Sequence, residues 1–304
     1  MTDNQKIDKL IRRAVSVVAN SPEIALDTFL RALKQAQDVK YIEGEALTLF
    51  QLGRVYIVLG NYEESIKNLK SALKIYTQLE NMESQINTLS LLGMNYNYLG
   101  NFNEALAYME KSLNLAEKFQ NDSVHAKVLN NLGNLYYSMD DFSSAKKYYL
   151  MSVPIKEKIN DVKSLGATYT NLAVTEKNLK NIELASEYIT RAIEIKKKYT
   201  ETFKDEESLA FAKNILGLIK HAERKYSEAL NIYEEVLDIY LRQNSLLLLC
   251  ETYILIALVY IDINDAVNAG KALNAGEQFV GQINASRITE EFKRLRAVIS
   301  EMKK

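Results

Sequence analysis

Six short motifs of one kind, recurring every 40 to 44 residues, constrain this chain more than anything else in it. Gly53 in QLGRVY, Gly93 in LLGMNY and Gly133 in NLGNLY stand 40 apart. The same ruler reaches Ala173 in NLAVTE, Gly217 in ILGLIK after 44 residues, and Ala257 in LIALVY after a further 40. One step back lands on Arg13, a weaker first copy. Self-similarity at a fixed period means stacked copies of one supersecondary unit, because a unit this small cannot bury its apolar face alone.

The residues around each mark say what the unit is. A leucine precedes most marks (Leu52, Leu92, Leu132, Leu172, Leu216), and Tyr56, Tyr96, Tyr136 and Tyr260 follow by three. These spacings share one helical stripe. Twelve residues after each mark comes Ala25, Ser65, Ala105, Ala145, Ala185, Ala229 or Ala269, small enough for two helices to approach closely. Between them lies a turn such as Leu59-Gly60-Asn61 or Leu99-Gly100-Asn101. Gly60 and Gly100 suit a left-handed helix end, and Asn61, Asn101 and Asp141 are placed to cap the next helix. Each unit is a helical hairpin, helix A then helix B. With only two prolines, Pro22 and Pro154, long helices can run almost uninterrupted.

These residues resemble the tetratricopeptide repeat (TPR). The TPR pattern of Leu-Gly, Tyr three later, then Ala on helix B is met by YEESIKNLKSALKIY, FNEALAYMEKSL and YSEALNIYEEVLDIY. A period of 40 exceeds the commoner TPR length of 34 by roughly a turn per helix. The long form is similar to Leu-Gly-Asn-repeat scaffolds and to bacterial TPR sensor and regulator modules. The resemblance implies an all-α, right-handed superhelical TPR solenoid of about seven helix-turn-helix repeats. The expected repeats are 6–42, 43–82, 83–122, 123–162, 163–206, 207–246 and 247–282, an array over residues 1–282. A capping helix at 283–304 follows, with Ile288, Phe292, Leu295, Ile299 and Met302 on its apolar side. The four extra residues between Ala173 and Gly217, in KKKYTETFKDEESL, are expected to lengthen an exposed loop that trypsin cuts after Lys198 or Lys204.

Little in the chain points to chemistry. There is no Gly-rich phosphate loop and no His-Glu-x-x-His. With one cysteine, Cys250, and two histidines, His125 and His221, a Cys/His zinc site and an internal disulfide are excluded. No cofactor, no metal and no enzymatic activity are expected. A net charge of −1 lacks the basic field that nucleic acid or an anionic membrane needs. The first twenty residues hold no signal-peptide core, so the chain reads as cytoplasmic.

The helix-A positions six, three and two before each mark, and one, four and five after it, are expected to line the concave groove. They include Phe50, Arg54, Asn87, Met94, Asn97, Tyr98, Lys127, Asn130, Asn131, Asn134, Tyr137, Asn171, Lys177, Asn178 and Asn214. A carboxamide matches both halves of a peptide bond, and Asn is a poor helix former, so asparagines inside helices want a reason. By resemblance to long-repeat TPR proteins that bind extended peptides, Asn87, Asn130, Asn131, Asn134, Asn171 and Asn214 would hold a peptide backbone. The plain alternative is that they only cap and solvate helices. The lysine and arginine clamp of chaperone-binding TPR domains is half absent, since Phe211 and Ile215 stand where its second part belongs.

Phe211, Ile215, Leu218, Ile254, Leu255 and Leu258 form an apolar face on repeats six and seven. It is expected to meet a second copy of the chain, a partner helix or a ligand's apolar anchor, unless tight curvature hides it. A homodimer through this face or through the C-terminal helix is one arrangement open here. The function expected is a non-enzymatic module binding a protein or extended peptide in bacterial signalling or regulation. The alternatives are the N-terminal sensory region of a longer kinase or cyclase, and a peptide-pheromone receptor. No helix-turn-helix precedes residue 13, and a stop at SEMKK inside a helix would fit truncation.

Overall fold

Every regular element in the computed structural model is a helix, over the residues it describes, 2–203, 205–283 and 285–302. In order these are α1 (Asp3–Val17), α2 (Pro22–Asp38), α3 (Ile42–Val58), α4 (Tyr62–Gln78) and α5 (Met82–Tyr98). There follow α6 (Phe102–Phe119), α7 (Asp122–Ser138), α8 (Phe142–Lys158), α9 (Val162–Asn178) and α10 (Ile182–Phe203). The chain continues through α11 (Glu206–Ala222), α12 (Tyr226–Arg242), α13 (Leu246–Asp262), α14 (Ala266–Val280) and α15 (Ser286–Met302). Odd-numbered helices up to α13 carry the marks, and each of them pairs with the even-numbered helix after it.

The turns reveal a finer ruler. Left-handed residues occur at Lys40, Gly60, Glu80, Gly100, Gln120, Asp140, Asn160 and Lys180, then at Arg224, Asn244 and Asn264. The 40-residue period is therefore two 20-residue steps of helix plus turn. At Gly60 (φ 74°) the bonds from Gly60 N to Ile57 O and from Asn61 N to Tyr56 O close the helix end. The expected caps are corrected in part: Asn61 and Asn101 make no side-chain cap, whereas Asp141 accepts from Ser144 N at 3.0 Å. Caps also stand ahead of mark helices, where Asn81, Asn121, Asp161 and Asp205 accept from the backbone three residues on.

The expected loop between repeats five and six is a helix instead. α10 runs for 22 residues, through Lys198 to Phe203. IKKKYTETF holds no Gly, Pro or Asn to end it. The buried Lys196 donates to Ser208 Oγ, and Thr200 Oγ1 donates to Asp205 O at 3.0 Å, tying its end to α11. The second expected cleavage point, Lys204, lies outside the described residues.

The chain divides into two compact units, Met1–Ile159 and Asn160–Lys304. In the first unit, close approach at the marks is direct. Ser65 Oγ donates to Gly53 O at 2.8 Å, and a methyl added to Gly133 would lie 2.4 Å from Tyr149 Cε1. The tyrosine stripe forms interhelical stacks, Tyr96 on Tyr108 at 5.4 Å and Tyr136 on Tyr148 at 5.3 Å between ring centroids. α1 packs on α3, α3 on α5 and α5 on α7, while the even helices make no comparable contact with one another. The stack thus curls with its mark-bearing helices on the inner side.

In the second unit α9, α11 and α13 pack in the same way, and α15 closes the series against α13 and α14. Ile288, Phe292, Leu295 and Ile299 of α15 are buried, and the Phe292 ring lies over Gly276.

Candidate ligand-binding faces

The inner side of the first unit carries the row of residues read from the sequence, and side chains one repeat apart meet along it. Lys127 Nζ donates to Asn87 Oδ1 at 3.0 Å across 40 residues, and Ser138 Oγ donates to Asn97 Oδ1 at 2.6 Å across 41. Tyr149 Oη donates to the exposed Asn134 Oδ1 at 2.8 Å. Each carboxamide therefore offers its oxygen to the protein, a bond that fixes its orientation. Asn131 is half-buried, and Arg54 is exposed beside Gln51, to which it donates.

Apolar groups interleave with these amides. Half-buried Phe50 meets Tyr76 edge-on at 6.5 Å, and Met94 packs against the buried cluster that holds Met109 and Leu132. Tyr98, half exposed, stacks on Tyr62 at 5.1 Å, and Tyr137 meets Phe142 at 5.3 Å. Partial burial and then Arg54 hold the Lys127 ammonium below the usual lysine range, against the opposing pull of Glu83. Burial, then Tyr62, pushes the Tyr98 hydroxyl up.

One groove assignment needs correction. The position three before the mark is turned inward in most repeats: Ser90, Thr170, Asn214 and Ile254 are all buried. Ser90 faces helix B, its Oγ meeting Ser112 Oγ at 2.9 Å, whereas Asn214 Nδ2 donates to Thr252 Oγ1 on α13 at 3.1 Å. Asn130 shares this position, and its Oδ1 accepts from the buried Lys156 at 3.1 Å. Ile254, read as an interface residue, is covered by α15 instead.

In the second unit, Asn171 and Asn178 are half-buried on α9, as are Ile215, Leu218, Leu255 and Leu258 on α11 and α13. Phe211 is exposed. His221, at the groove position four after the mark, has its Nε2 2.8 Å from Asp262 Oδ2, and its ring meets Tyr226 at 5.7 Å. The 41-residue spacing, matching Asn97 to Ser138, was the available signal. With Lys177, Leu218, Ala222 and Arg224 these groups line an open cavity of about 630 Å³. Burial, then Lys180, lowers the Lys177 ammonium from its usual range. A second cavity, of about 280 Å³, lies among Phe211, Ile215, Ile254, Leu255 and Ile288. Burial, then Glu251, pushes the Cys250 thiol up to about 11, which leaves it unreactive near neutral pH. Among the described residues no helix is long and apolar enough to cross a membrane, and no three His, Cys, Asp or Glu side chains form a metal-binding group.

Known proteins share this fold. The apo form of the quorum sensor NprR from B. thuringiensis is 20% identical, with a TM-score of 0.76 over 91% of this chain and 77% of that one. A Rap protein complexed with Competence and Sporulation Factor is 18% identical, with a TM-score of 0.73 over 96% and 78%. A signal transduction ATPase with a tetratricopeptide repeat sensor, from Pyrococcus horikoshii, is 17% identical with a TM-score of 0.72. It matches 98% of this chain, which spans 44% of that protein's length. No curated protein matches the chain by sequence. Tetratricopeptide-repeat family profiles match residues 46–79, 84–158 and 167–199. With its helix pairs, marks and turns, the chain is a tetratricopeptide-repeat protein.

Proposed function

We propose that the chain is a non-enzymatic binding module that holds an extended peptide or partner segment along the inner helix face of its first unit, in a signalling or regulatory role. One observation carries this reading: Asn87, Asn97 and Asn134 stand along that face with each amide oxygen tied to a side chain of the protein. Amides held in place before a ligand arrives lose little freedom on binding, which favours affinity for a backbone over any one side chain. Tyr98, Tyr137 and Phe50 supply apolar contact between them, and Lys127 with Arg54 adds a mild attraction for carboxylates. The fold shared with a quorum sensor and with a Rap protein solved in complex with Competence and Sporulation Factor supports the same reading. Similarity to a signal transduction ATPase with a repeat sensor favours a second one, the sensing part of a longer regulator.

Selection of a random decapeptide library on the immobilised chain tests the proposal. The selected peptides are then measured against the Asn87→Ala, Asn97→Ala, Asn134→Ala triple variant by calorimetry. Asn130 is spared because it holds the buried Lys156. Three bonds of about 0.5–1.5 kcal/mol each predict a loss of roughly 10- to 1,000-fold in affinity with helicity intact. Peptides that bind parent and variant alike would move the site off this face.

A further inference from the structure

In the second unit, the cavity of about 630 Å³ at the carbonyl ends of α9 and α11 carries cations that the fold does not ask for. Lys177, on α9, and Arg224, in the turn after α11, both line it. Lys177 stands four residues after its mark, where earlier repeats have Ile57, Asn97 and Tyr137. Arg224 stands seven after its mark, a left-handed position (φ 61°) that Gly60 and Gly100 fill in repeats two and three. Neither helix packing nor turn geometry therefore calls for a cation at these places. Among the described residues neither cation meets an acidic partner. Lys177 is half-buried, and burial, then the repulsion of Lys180, lowers its ammonium from the usual range. A half-buried ammonium without a counter-charge is unfavourable, and an anion beside it relieves that cost.

The acids nearby are already engaged. Asp262, the one acid in the lining, accepts from His221 Nε2 at 2.8 Å, since a carboxylate can only accept. Beside Arg224, Glu223 is held by Lys220 at 3.1 Å and by Lys225 at 2.7 Å. Lys177 and Arg224 set against Asp262 leave the lining at least one positive charge in excess. Tyr226 lines the cavity too, and among the described residues its hydroxyl makes no hydrogen bond, which leaves it a neutral donor. A singly charged anion matches this set. A phosphate dianion does not, because it draws on amides at helix N-termini, and the ends of α9 and α11 here present carbonyls. The volume falls within the range of about 300–1,000 Å³ typical of small-molecule sites, and Leu218 and Ala222 supply an apolar wall. We infer that the cavity binds a carboxylate, with Lys177 and Arg224 as its counter-charges and Tyr226 as a further donor. A free organic acid and the carboxyl end of a polypeptide share that chemistry, and the test separates them. The inference is independent of the peptide-binding reading of the first unit.

The test follows the methyl signals of Leu218 and Ala222 in the full chain, at constant ionic strength. Benzoate is expected to shift both saturably, and benzamide, its neutral isostere, to leave them in place. Lys177→Met should weaken benzoate about 10-fold and Arg224→Gln about 3-fold, because the lysine charge is the less solvated of the two. Cations in the last turn of a helix are also favoured by its dipole. If that is all Lys177 does, Lys177→Met lowers the melting temperature and leaves benzoate binding unchanged, which would overturn the site. Silent methyl signals, equal responses to benzoate and benzamide, or a preference for inorganic phosphate over benzoate would overturn it as well. Binding of N-acetyl-trialanine more tightly than benzoate assigns the carboxylate to a polypeptide end, and the reverse order assigns it to a free acid.

Discussion

Gly133→Ala is the sharpest probe of the packing that spaces these helices. The added methyl would lie 2.4 and 2.5 Å from Cε1 and Cδ1 of Tyr149, well inside van der Waals contact. Tyr149 is 2% exposed, and its ring has no flexible end that could swing clear. Overpacking of this kind costs about 1–3 kcal/mol. Moving the ring also strains the 2.8 Å bond to Asn134, worth about 0.5–1.5 kcal/mol. Against this, alanine favours a helix over glycine by about 1 kcal/mol. The net destabilisation is about 1–3 kcal/mol, which corresponds to a fall in melting temperature of about 2–10 °C for a unit of this size.

The chain supplies its own control. Repeat five carries Ala173 at the mark and Ile189 sixteen residues later, both fully buried. Installing Tyr149→Ile alongside Gly133→Ala rebuilds that pair in repeat four. Circular dichroism melts of the four proteins in the cycle should show a coupling of at least about 1 kcal/mol, of the sign that favours the double variant. If Gly133→Ala raises the melting temperature in the parent, or costs as much in the Tyr149→Ile background as in the parent, close approach is not why glycine stands there.

Asp141→Ala should cost about 0.5–2 kcal/mol through loss of the cap on α8. The side chain and then the backbone of Ser144 hold the Asp141 carboxyl below the usual carboxylate range. Its contribution is therefore full above the ordinary aspartate pKa and lost as pH falls through the lower folded value. Urea melts of parent and variant should differ at pH 7 and converge near pH 2, and a constant difference would refute the cap. Amides of Lys197–Glu201, inside α10, should exchange slowly, whereas random-coil exchange there would restore the loop read from the sequence. Deleting residues 286–304 should uncover Ile254 and Leu273 and raise binding of an apolar dye, and unchanged dye fluorescence would deny α15 a covering role.

The fold was legible because its packing is written at fixed offsets. A small mark, a small partner twelve later and a bulky residue sixteen later specify two helices in contact, and six copies repeat the message. The inner face was legible only coarsely. Offsets from the mark place Asn214 and Asn130 on helix A, but their burial depends on the bulk of facing helices, which no single-helix ruler contains. The pairing of His221 with Asp262 needed two repeats read side by side. The extension of α10 was missed because extra residues between repeats suggest a loop, although none of them breaks a helix.

The recurring 20-residue step also bears on how the chain folds. Within each unit every helix packs on the next one or two in sequence, so the loops closed on folding there are short and nearly equal. Loop-closure entropy then gives no region a decisive advantage as a nucleus, and structure can start at several pairs and spread to neighbours. Such chains form quickly for their length, because few contacts wait on distant segments. They also come apart piecemeal: denaturant should release the pairs with the weakest interfaces first, and midpoints read by probes in different repeats should not coincide.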